Sequence, residues 1–246
     1  MSIQKRILLV ASIFIATSVV VMAQTRPRPA AGGREMSVEQ SYLQESVELM
    51  IIREQSRADS RDMKLVALEY INDAINRGNK GPEICSSLEY LAMEGVVNTT
   101  RENGRLVNNY PDIRTRAATY LGELGTPEAK DVLKKMVLAD NEPMVITEAI
   151  KSLGKIGNND NDEVTQAISW VVSRYNVLNP DNLLAISALD AYEQIAHTSG
   201  GITDPSVVRT IISIAEGTYA KPVQDKAKQV LSDMRKIGAP GSQDGT

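Results

Sequence analysis

The sequence predicts an all-α fold, a solenoid built from pairs of helices, and two observations carry that prediction. The stretch 111–125 (PDIRTRAATYLGELG) returns 32 residues later as 143–157 (PMVITEAIKSLGKIG). Both copies place apolar residues at the spacing of one helix face, and both end on glycine. A helical pair copied at a fixed offset is typical of a solenoid, in which each pair covers the apolar face of its neighbour.

Each unit contains the signals that begin and end helices. Pro111 stands in a first turn, where its missing N–H costs nothing, and Gly125 stands just past a last turn, where a left-handed residue is favoured. Thr126 then has a side chain suited to cap a second helix, whose apolar face holds Val132 and Met136. The unit is therefore predicted to be a first helix, a tight turn and a second helix.

The first-helix pattern occurs five times, with apolar residues four before, four after and seven after a central alanine. The central alanines are Ala67, Ala117, Ala149, Ala188 and Ala227. The residue after the alanine is apolar in four copies and is Lys228 in the last. A charge at this position indicates a face without a neighbour, so we expect the last helix to end the stack.

Four second helices alternate with these and are expected to begin near Pro82, Pro127, Asp162 and Pro205. Their predicted core anchors are Ile84 and Leu88, Val132 and Met136, Val164 and Ile168, and Val208 and Ile212. One more helix, beginning near Ser37, is predicted to cap the opposite end of the stack. Its predicted apolar face holds Leu43, Val47, Met50 and Ile51. The sequence thus predicts about ten helices.

The run 113–157 resembles the HEAT-like repeats of the phycobilisome-lyase type, and the units 111–139 and 143–175 carry that resemblance. The resemblance implies a helical superhelix that binds other macromolecules. Most such relatives are scaffolds, and a minority attach or remove bilin chromophores. The family usually has a charged residue, often arginine, early in the first helix. The first unit keeps Arg114 but the second has Ile146, so a continuous ladder of polar contacts is not implied.

The ends of the chain differ in composition from the repeats. Residues 1–23 have two basic residues, an uncharged apolar run over 7–22 and small residues before position 24, a pattern typical of a secretory signal peptide. The alternative is an uncleaved anchor, for which a run of that length is short. Residues 24–36 are predicted to be a flexible Pro/Arg/Gly linker, 37–237 a single solenoid domain and 238–246 a disordered tail. An exported protein, periplasmic or secreted, is expected, without a membrane span after signal cleavage.

The charge balance narrows the class of partner. The chain has a net charge of −4, and removal of Lys5 and Arg6 with the signal peptide would make it −6. An acidic chain with few aromatic residues argues against general nucleic-acid binding and against an anionic membrane surface. A protein partner is therefore the expectation.

Few residues could perform catalysis or hold a cofactor. The chain has one cysteine, Cys85, and one histidine, His197, which excludes an intrachain disulfide and most metal-ligand or nucleophile–base sets. Cys85 lies on an apolar stripe, which favours a buried thiol over a chromophore attachment point. The acidic stretch 158–163 resembles half a calcium loop but lacks its glycine, and a loop that caps a helix is favoured. No enzyme activity and no cofactor are predicted.

The candidate partner-binding residues lie off the main core stripe of the second helices. Two positions past each second anchor stand Tyr90, Leu138, Trp170 and Ile214. Lateral packing between second helices is one interpretation, and an exposed apolar stripe that binds a partner is the other. The insertion 98–110 lengthens the first repeat, and its Arg101 and Arg105 are further candidates if it is a binding element and not a plain loop.

Two functions remain open at this point. The first is a non-enzymatic scaffold or adaptor of the bacterial envelope that binds protein through its second-helix surface. The alternative, implied by the resemblance, is a chromophore-handling or lyase-like subunit, which would need Cys85 or His197 as its reactive group.

Overall fold

A computed structural model describes residues 38–237 of the chain, and ten α-helices, one short β-hairpin and a 3₁₀ turn at Asp160–Asp162 make up the regular structure of that part. The helices are α1 Val38–Arg57, α2 Arg61–Asn76, α3 Pro82–Ala92, α4 Pro111–Leu124, α5 Pro127–Ala139, α6 Pro143–Ile156, α7 Glu163–Leu178, α8 Asn182–Ser199, α9 Pro205–Glu216 and α10 Lys221–Ile237. The hairpin pairs β1 Arg101–Glu102 with β2 Arg105–Leu106. The predicted all-α solenoid of about ten helices is confirmed.

The helices of the described part pack in two layers. First helices contact one another in the order α2, α4, α6, α8 and α10, and second helices in the order α3, α5, α7 and α9. The chain divides into two units after Leu43, so that residues 38–43 are the described part of the first and 44–237 that of the second. The two layers belong to the second unit.

The central alanines of all five first helices are completely buried, which confirms the predicted alignment of these copies: Ala67, Ala117, Ala149, Ala188 and Ala227. The apolar residue that follows is also buried in four copies, whereas Lys228 is exposed. The helix α10 therefore ends the packed layer, as its charge predicts.

The repeated Leu-Gly pair allows first helices to approach closely. A Cβ built on Gly154 of α6 would lie 2.8 Å from the Cα of Ala191 in α8, closer than real Cβ contacts. The glycine at the end of the same helix has another role, since Gly157 takes a left-handed φ of 73° and its N–H donates to the carbonyl of Leu153. The copied sequence therefore preserves both helix contact and helix ending.

The predicted alignment of α9 is wrong by one residue. Val208 and Ile212, expected as core anchors, are exposed, while Val207, Ile211 and Ile214 are buried. The segment contains two adjacent apolar pairs, so its period alone permits either stripe. Packing of α9 against α10 and α7 selects the other one.

The predicted apolar face of α1 is also wrong. Leu43, Val47 and Met50 are exposed, whereas Ile52 is the buried apolar residue among the described side chains of this helix, and Leu49 packs against the core. Apolar residues occur on more than one side of α1, and its contacts with the rest of the second unit decide which side is covered.

Several predictions concern residues outside the described part of the chain. These are the signal peptide 1–23, the linker 24–36, the cap at Ser37 and the tail 238–246. Within 38–237, no helix combines the length and the apolar character needed to cross a bilayer.

Candidate functional site

Trp170 lies on the outward side of α7 and is half exposed, with 50% of its surface accessible. The residues before and after it, Ser169 and Val171, are buried, because the helix turns them toward the core. An exposed indole at a position flanked by core residues is the observation around which the site is built.

A groove of about 480 Å³ lies between α7 and α9, with Trp170 on one wall. The groove is lined by Gln166, Ser169, Trp170, Ser173, Ser206, Arg209, Thr210 and Ser213. The four residues from each helix recur at i, i+3, i+4 and i+7, the spacing of a single helix face. Two facing stripes, one from each helix, therefore form the walls.

The floor of the groove is tied to the buried phenol of Tyr192 on α8. The Tyr192 hydroxyl lies 2.8 Å from Ser169 Oγ, and the Tyr192 side chain is completely buried. Burial raises the pKa of Tyr192 well above its ordinary value, although the hydroxyls of Ser169 and Thr210 oppose that shift. The phenol therefore stays protonated, and the first-helix layer fixes a hydroxyl cluster beneath the groove.

Four further contacts hold the walls in place. Asn176 Nδ2 of α7 donates to Ser213 Oγ of α9 at 2.8 Å, and Ser213 Oγ donates to the carbonyl of Thr210 at 2.9 Å. The guanidinium carbon of Arg174 lies 5.7 Å from the centroid of the Trp170 ring, and Arg174 Nη2 donates to Asn141 Oδ1 at 2.7 Å. The cation–π contact restrains the indole while leaving half of it accessible.

The structure brings Trp170 together with none of the other three predicted second-helix residues. Ile214 is fully buried, so its assignment to an exposed stripe is corrected; it belongs to the core because α9 is turned by one residue. Leu138 is exposed on α5 but does not line the groove. Tyr90 is partly buried on α3, with Arg57 and Lys64 within 5.9 Å and 5.4 Å of its ring centroid.

The functional residues that sequence reasoning missed are those of α9, above all Arg209. With Val207, Ile211 and Ile214 as the core stripe, Ser206 and Arg209 face α7. The serine and threonine content of 206–213 was a usable signal, because polar residues at i, i+3, i+4 and i+7 mark a solvent-facing stripe.

The insertion between α3 and α4 contains a β-hairpin, so it has more regular structure than the plain loop that is one of its two interpretations. Asn103 and Gly104 both have positive φ, 49° and 80°, as a two-residue type I′ turn requires. Arg101 and Arg105 are exposed on the two strands, and Arg101 Nη1 donates to the carbonyl of Gly104 at 3.1 Å. The Asn-Gly pair in the sequence was the signal for this turn.

A buried ionic network, also missed, anchors that insertion. Lys64 Nζ lies 3.1 Å from Glu94 Oε2, and Asn108 Nδ2 donates to Glu94 Oε1 at 2.8 Å. Arg114 Nη1 donates to the carbonyl of Glu94 at 3.0 Å and pairs with Asp140. Lys64 stands three residues before its central alanine, as Arg114 does before the next, so the network links two consecutive repeats.

Residues 105–177, from β2 to near the end of α7, match the family model for HEAT repeats. The chain contains HEAT-like repeats. The match covers the two units whose sequences are most similar to each other, and the other first helices of the described part share with them a buried central alanine.

Other comparisons add no argument about function. One solved structure, a de novo designed 16-helix transmembrane nanopore, aligns with 80% of this HEAT-like chain at 15% identity and a TM-score of 0.25. The chain spans 62% of the length of the nanopore chain, and a likeness at that score does not bear on the fold. No curated protein matches the chain.

Cys85 and His197, the two candidate reactive residues, do not line the groove. Cys85 is buried, and burial, with smaller effects of Glu128 and Glu89, raises the pKa of its thiol. His197 is exposed in the last turn of α8. No cluster of metal-ligating side chains occurs among residues 38–237.

The acidic stretch before α7 acts as a helix cap in the structure. Asn159 Oδ1 accepts the N–H groups of Val164 and Thr165 at 3.2 Å and 3.1 Å. Asp160 and Glu163 both pair with Lys130. These acids therefore have lysine partners, as expected of a capping loop and not of a calcium site.

Proposed function

We propose that this protein is a non-enzymatic scaffold or adaptor that binds a protein partner through the second-helix layer, with the α7–α9 groove at the centre of the contact. The single observation that carries the proposal is the half-exposed Trp170 beside a groove with a fixed floor.

Interface physics supports this role for Trp170. Tryptophan and arginine are the residue types most enriched where binding energy concentrates, and the groove offers both. A wall held by the bonds of Asn176 and Arg174 loses little side-chain freedom when a partner binds, which favours affinity. Solenoids present such layers as extended binding surfaces.

The proposal includes export to the bacterial envelope. Its support is the sequence of residues 1–23, which has the basic, apolar and small-residue segments of a secretory signal. The net charge of −4 supports a protein partner over a nucleic acid.

The lyase-like alternative is less well supported. It needs a reactive side chain, and the thiolate is the reactive form of cysteine. Burial and the raised pKa of the Cys85 thiol keep it protonated. Labelling of Cys85 by a thiol reagent in the folded chain, at a rate near that of the denatured chain, would favour the alternative.

Partner capture from native envelope extract tests the proposal when three forms of the full chain are compared. These are the wild type, Trp170→Ala and the control Val177→Ala, which changes an exposed apolar residue of the same helix outside the groove. We expect a captured protein that Val177→Ala retains and Trp170→Ala loses at unchanged melting temperature. Equal capture by all three forms would contradict the assignment of the groove.

A further inference from the structure

We propose that the α7–α9 groove binds an acidic peptide segment of the partner, with a carboxylate at Arg209 and an apolar side chain against Trp170. This inference rests on the proposed function and specifies the chemistry of the segment that the groove recognises.

The charge of the groove is opposite to that of the chain. The chain as a whole is acidic, but among residues 38–237 the one charged residue that lines the groove is Arg209, and no acidic side chain of that part lines it. Arg174 adds a second positive charge beside Trp170, and its hydrogen bond goes to the neutral amide of Asn141. The groove is therefore a local site of positive potential on an acidic protein.

Neither of these arginines has an acidic partner within the described residues. The neighbouring second helix differs, since Lys134 of α5 pairs with Glu163 at 2.5 Å and Lys135 pairs with Glu89 at 2.7 Å. Arg209 is exposed and its five N–H donors suit a carboxylate in bidentate geometry. A carboxylate of the partner would form with Arg209 the kind of ion pair that the lysines of α5 form within this chain.

The polar groups of the walls suit a peptide better than a bare anion. Gln166 and Ser173 form no side-chain hydrogen bond within residues 38–237, and each can both donate and accept. An extended peptide backbone presents both N–H and C=O groups, whereas an inorganic anion only accepts. The volume of about 480 Å³ is also of the size that encloses a short segment and exceeds the needs of one ion.

Trp170 supplies the apolar part of the recognition. Its indole is half exposed in the groove that Arg209 also lines, so a segment that carries an acidic residue near an apolar residue can contact both at once. An aromatic anchor beside a cation gives selectivity because a basic segment meets like charge, and a neutral segment leaves the arginine without a partner.

The test uses Trp170 fluorescence, since Trp170 is the sole tryptophan of the chain. Three blocked eight-residue peptides share two leucines and two glycines and carry four Glu, four Gln or four Lys. We expect the Glu peptide to shield Trp170 from acrylamide at concentrations up to about 1 mM and to bind about tenfold more tightly than the Gln peptide. We expect no shielding by the Lys peptide, and weaker binding of the Glu peptide as salt is added.

Arg209→Gln and the matched control Arg235→Gln separate the local site from general attraction. Arg235 is an exposed arginine of α10 that does not line the groove. We expect Arg209→Gln to weaken binding of the Glu peptide about fivefold or more, and Arg235→Gln to leave it unchanged. Equal weakening by both variants, or by neither, would overturn the assignment to Arg209.

The remaining outcomes distinguish this inference from the proposed function. Equal binding of the Glu and Gln peptides, or no shielding by any peptide while partner capture still requires Trp170, overturns the acidic segment and leaves the scaffold function standing. Stronger shielding by a single-stranded oligonucleotide than by the Glu peptide overturns the inference in favour of nucleic acid. Equal partner capture by the wild type and by Trp170→Ala overturns the proposed scaffold function of the groove.

Discussion

Arg114 and Asp140 form a two-point ion pair inside the protein, with Nε 2.6 Å from Oδ2 and Nη2 3.2 Å from Oδ1. Both side chains are almost completely buried. Asp140 Oδ1 also accepts the N–H groups of Asn141 and Glu142 at 2.8 Å and 2.9 Å, just before α6 begins. The pair therefore joins the first helix of one repeat to the entry of the next.

Removal of the Arg114 side chain should destabilise the protein strongly, because Asp140 would remain buried without its counter-charge. We expect Arg114→Ala to lower the free energy of unfolding by about 3–5 kcal/mol. Lys135→Ala, which removes an exposed pair with Glu89, is the control and should cost at most about 1 kcal/mol. Urea denaturation of both variants measures the difference. Similar losses in the free energy of unfolding would show that the buried Arg114–Asp140 pair stabilises the protein no more than the exposed pair does.

The contrast between Ala149 and Lys228 tests the alignment of the first helices. Ala149 is completely buried in α6, so Ala149→Leu should force its neighbours apart and cost about 1–3 kcal/mol. Lys228 is exposed where α10 ends the layer, so Lys228→Leu should leave the melting temperature nearly unchanged but promote association. Calorimetry and light scattering measure the two effects. A lower melting temperature for Lys228→Leu than for Ala149→Leu would show the alignment to be wrong.

Acid should remove one specific stabilising contact, that of Glu163 between α5 and α7. Hydrogen bonds first from Lys130 and then from Lys134 lower the pKa of Glu163 below its ordinary value of 4.5. Since the folded pKa is the lower one, this stability is present above the ordinary pKa and is lost as pH falls through the folded value. The carboxylate is more than one-third exposed, which screens the contact, so we expect less than about 1 kcal/mol.

The measurement for this contact compares wild type with Glu163→Gln by urea denaturation at about pH 7 and about pH 3. Glu163→Gln should be the less stable form at neutral pH, and the difference should shrink in acid. Glu69→Gln is the control, because Glu69 is exposed on α2 and has no ion pair among the described residues. A difference that grows in acid would contradict the sign of the pKa shift.

The helix count and the alignment of the first helices could be predicted because each rests on a strong local signal. The pattern around a central alanine such as Ala149 recurs in five first helices, and the agreement of the five copies leaves one choice of alignment. In α9, Val207 with Val208 and Ile211 with Ile212 form adjacent apolar pairs, and these leave two possible buried faces. Only tertiary contacts choose between them, and the choice places Arg209 in the groove.

The buried network could not be predicted from the pattern of apolar residues, which treats every charge as exposed. Lys64 and Glu94 are thirty residues apart, and they do not lie on the same helix. Their pairing depends on the path of the insertion, which Asn108 and the turn at Asn103 determine. Contacts of this kind depend on three-dimensional proximity that periodicity does not encode.

For Trp170 the sequence leaves two interpretations, an interface anchor or a packing residue between second helices. A buried tryptophan replaced by alanine costs about 3–5 kcal/mol through the cavity that remains. Trp170 is half exposed, so Trp170→Ala should change the free energy of unfolding by no more than about 1 kcal/mol. Tyr192→Ala, which removes the completely buried aromatic residue beneath the same groove, should show the larger loss.

Fluorescence of the wild-type chain gives an independent readout of the same question. Trp170 is the sole tryptophan, so all tryptophan emission comes from the groove. Acrylamide should quench that emission in the free protein, because half of the indole is accessible. A blue-shifted emission that acrylamide does not quench, together with a stability loss for Trp170→Ala as large as that for Tyr192→Ala, would place the indole in a packed contact. That result would remove the observation on which the proposed binding site depends.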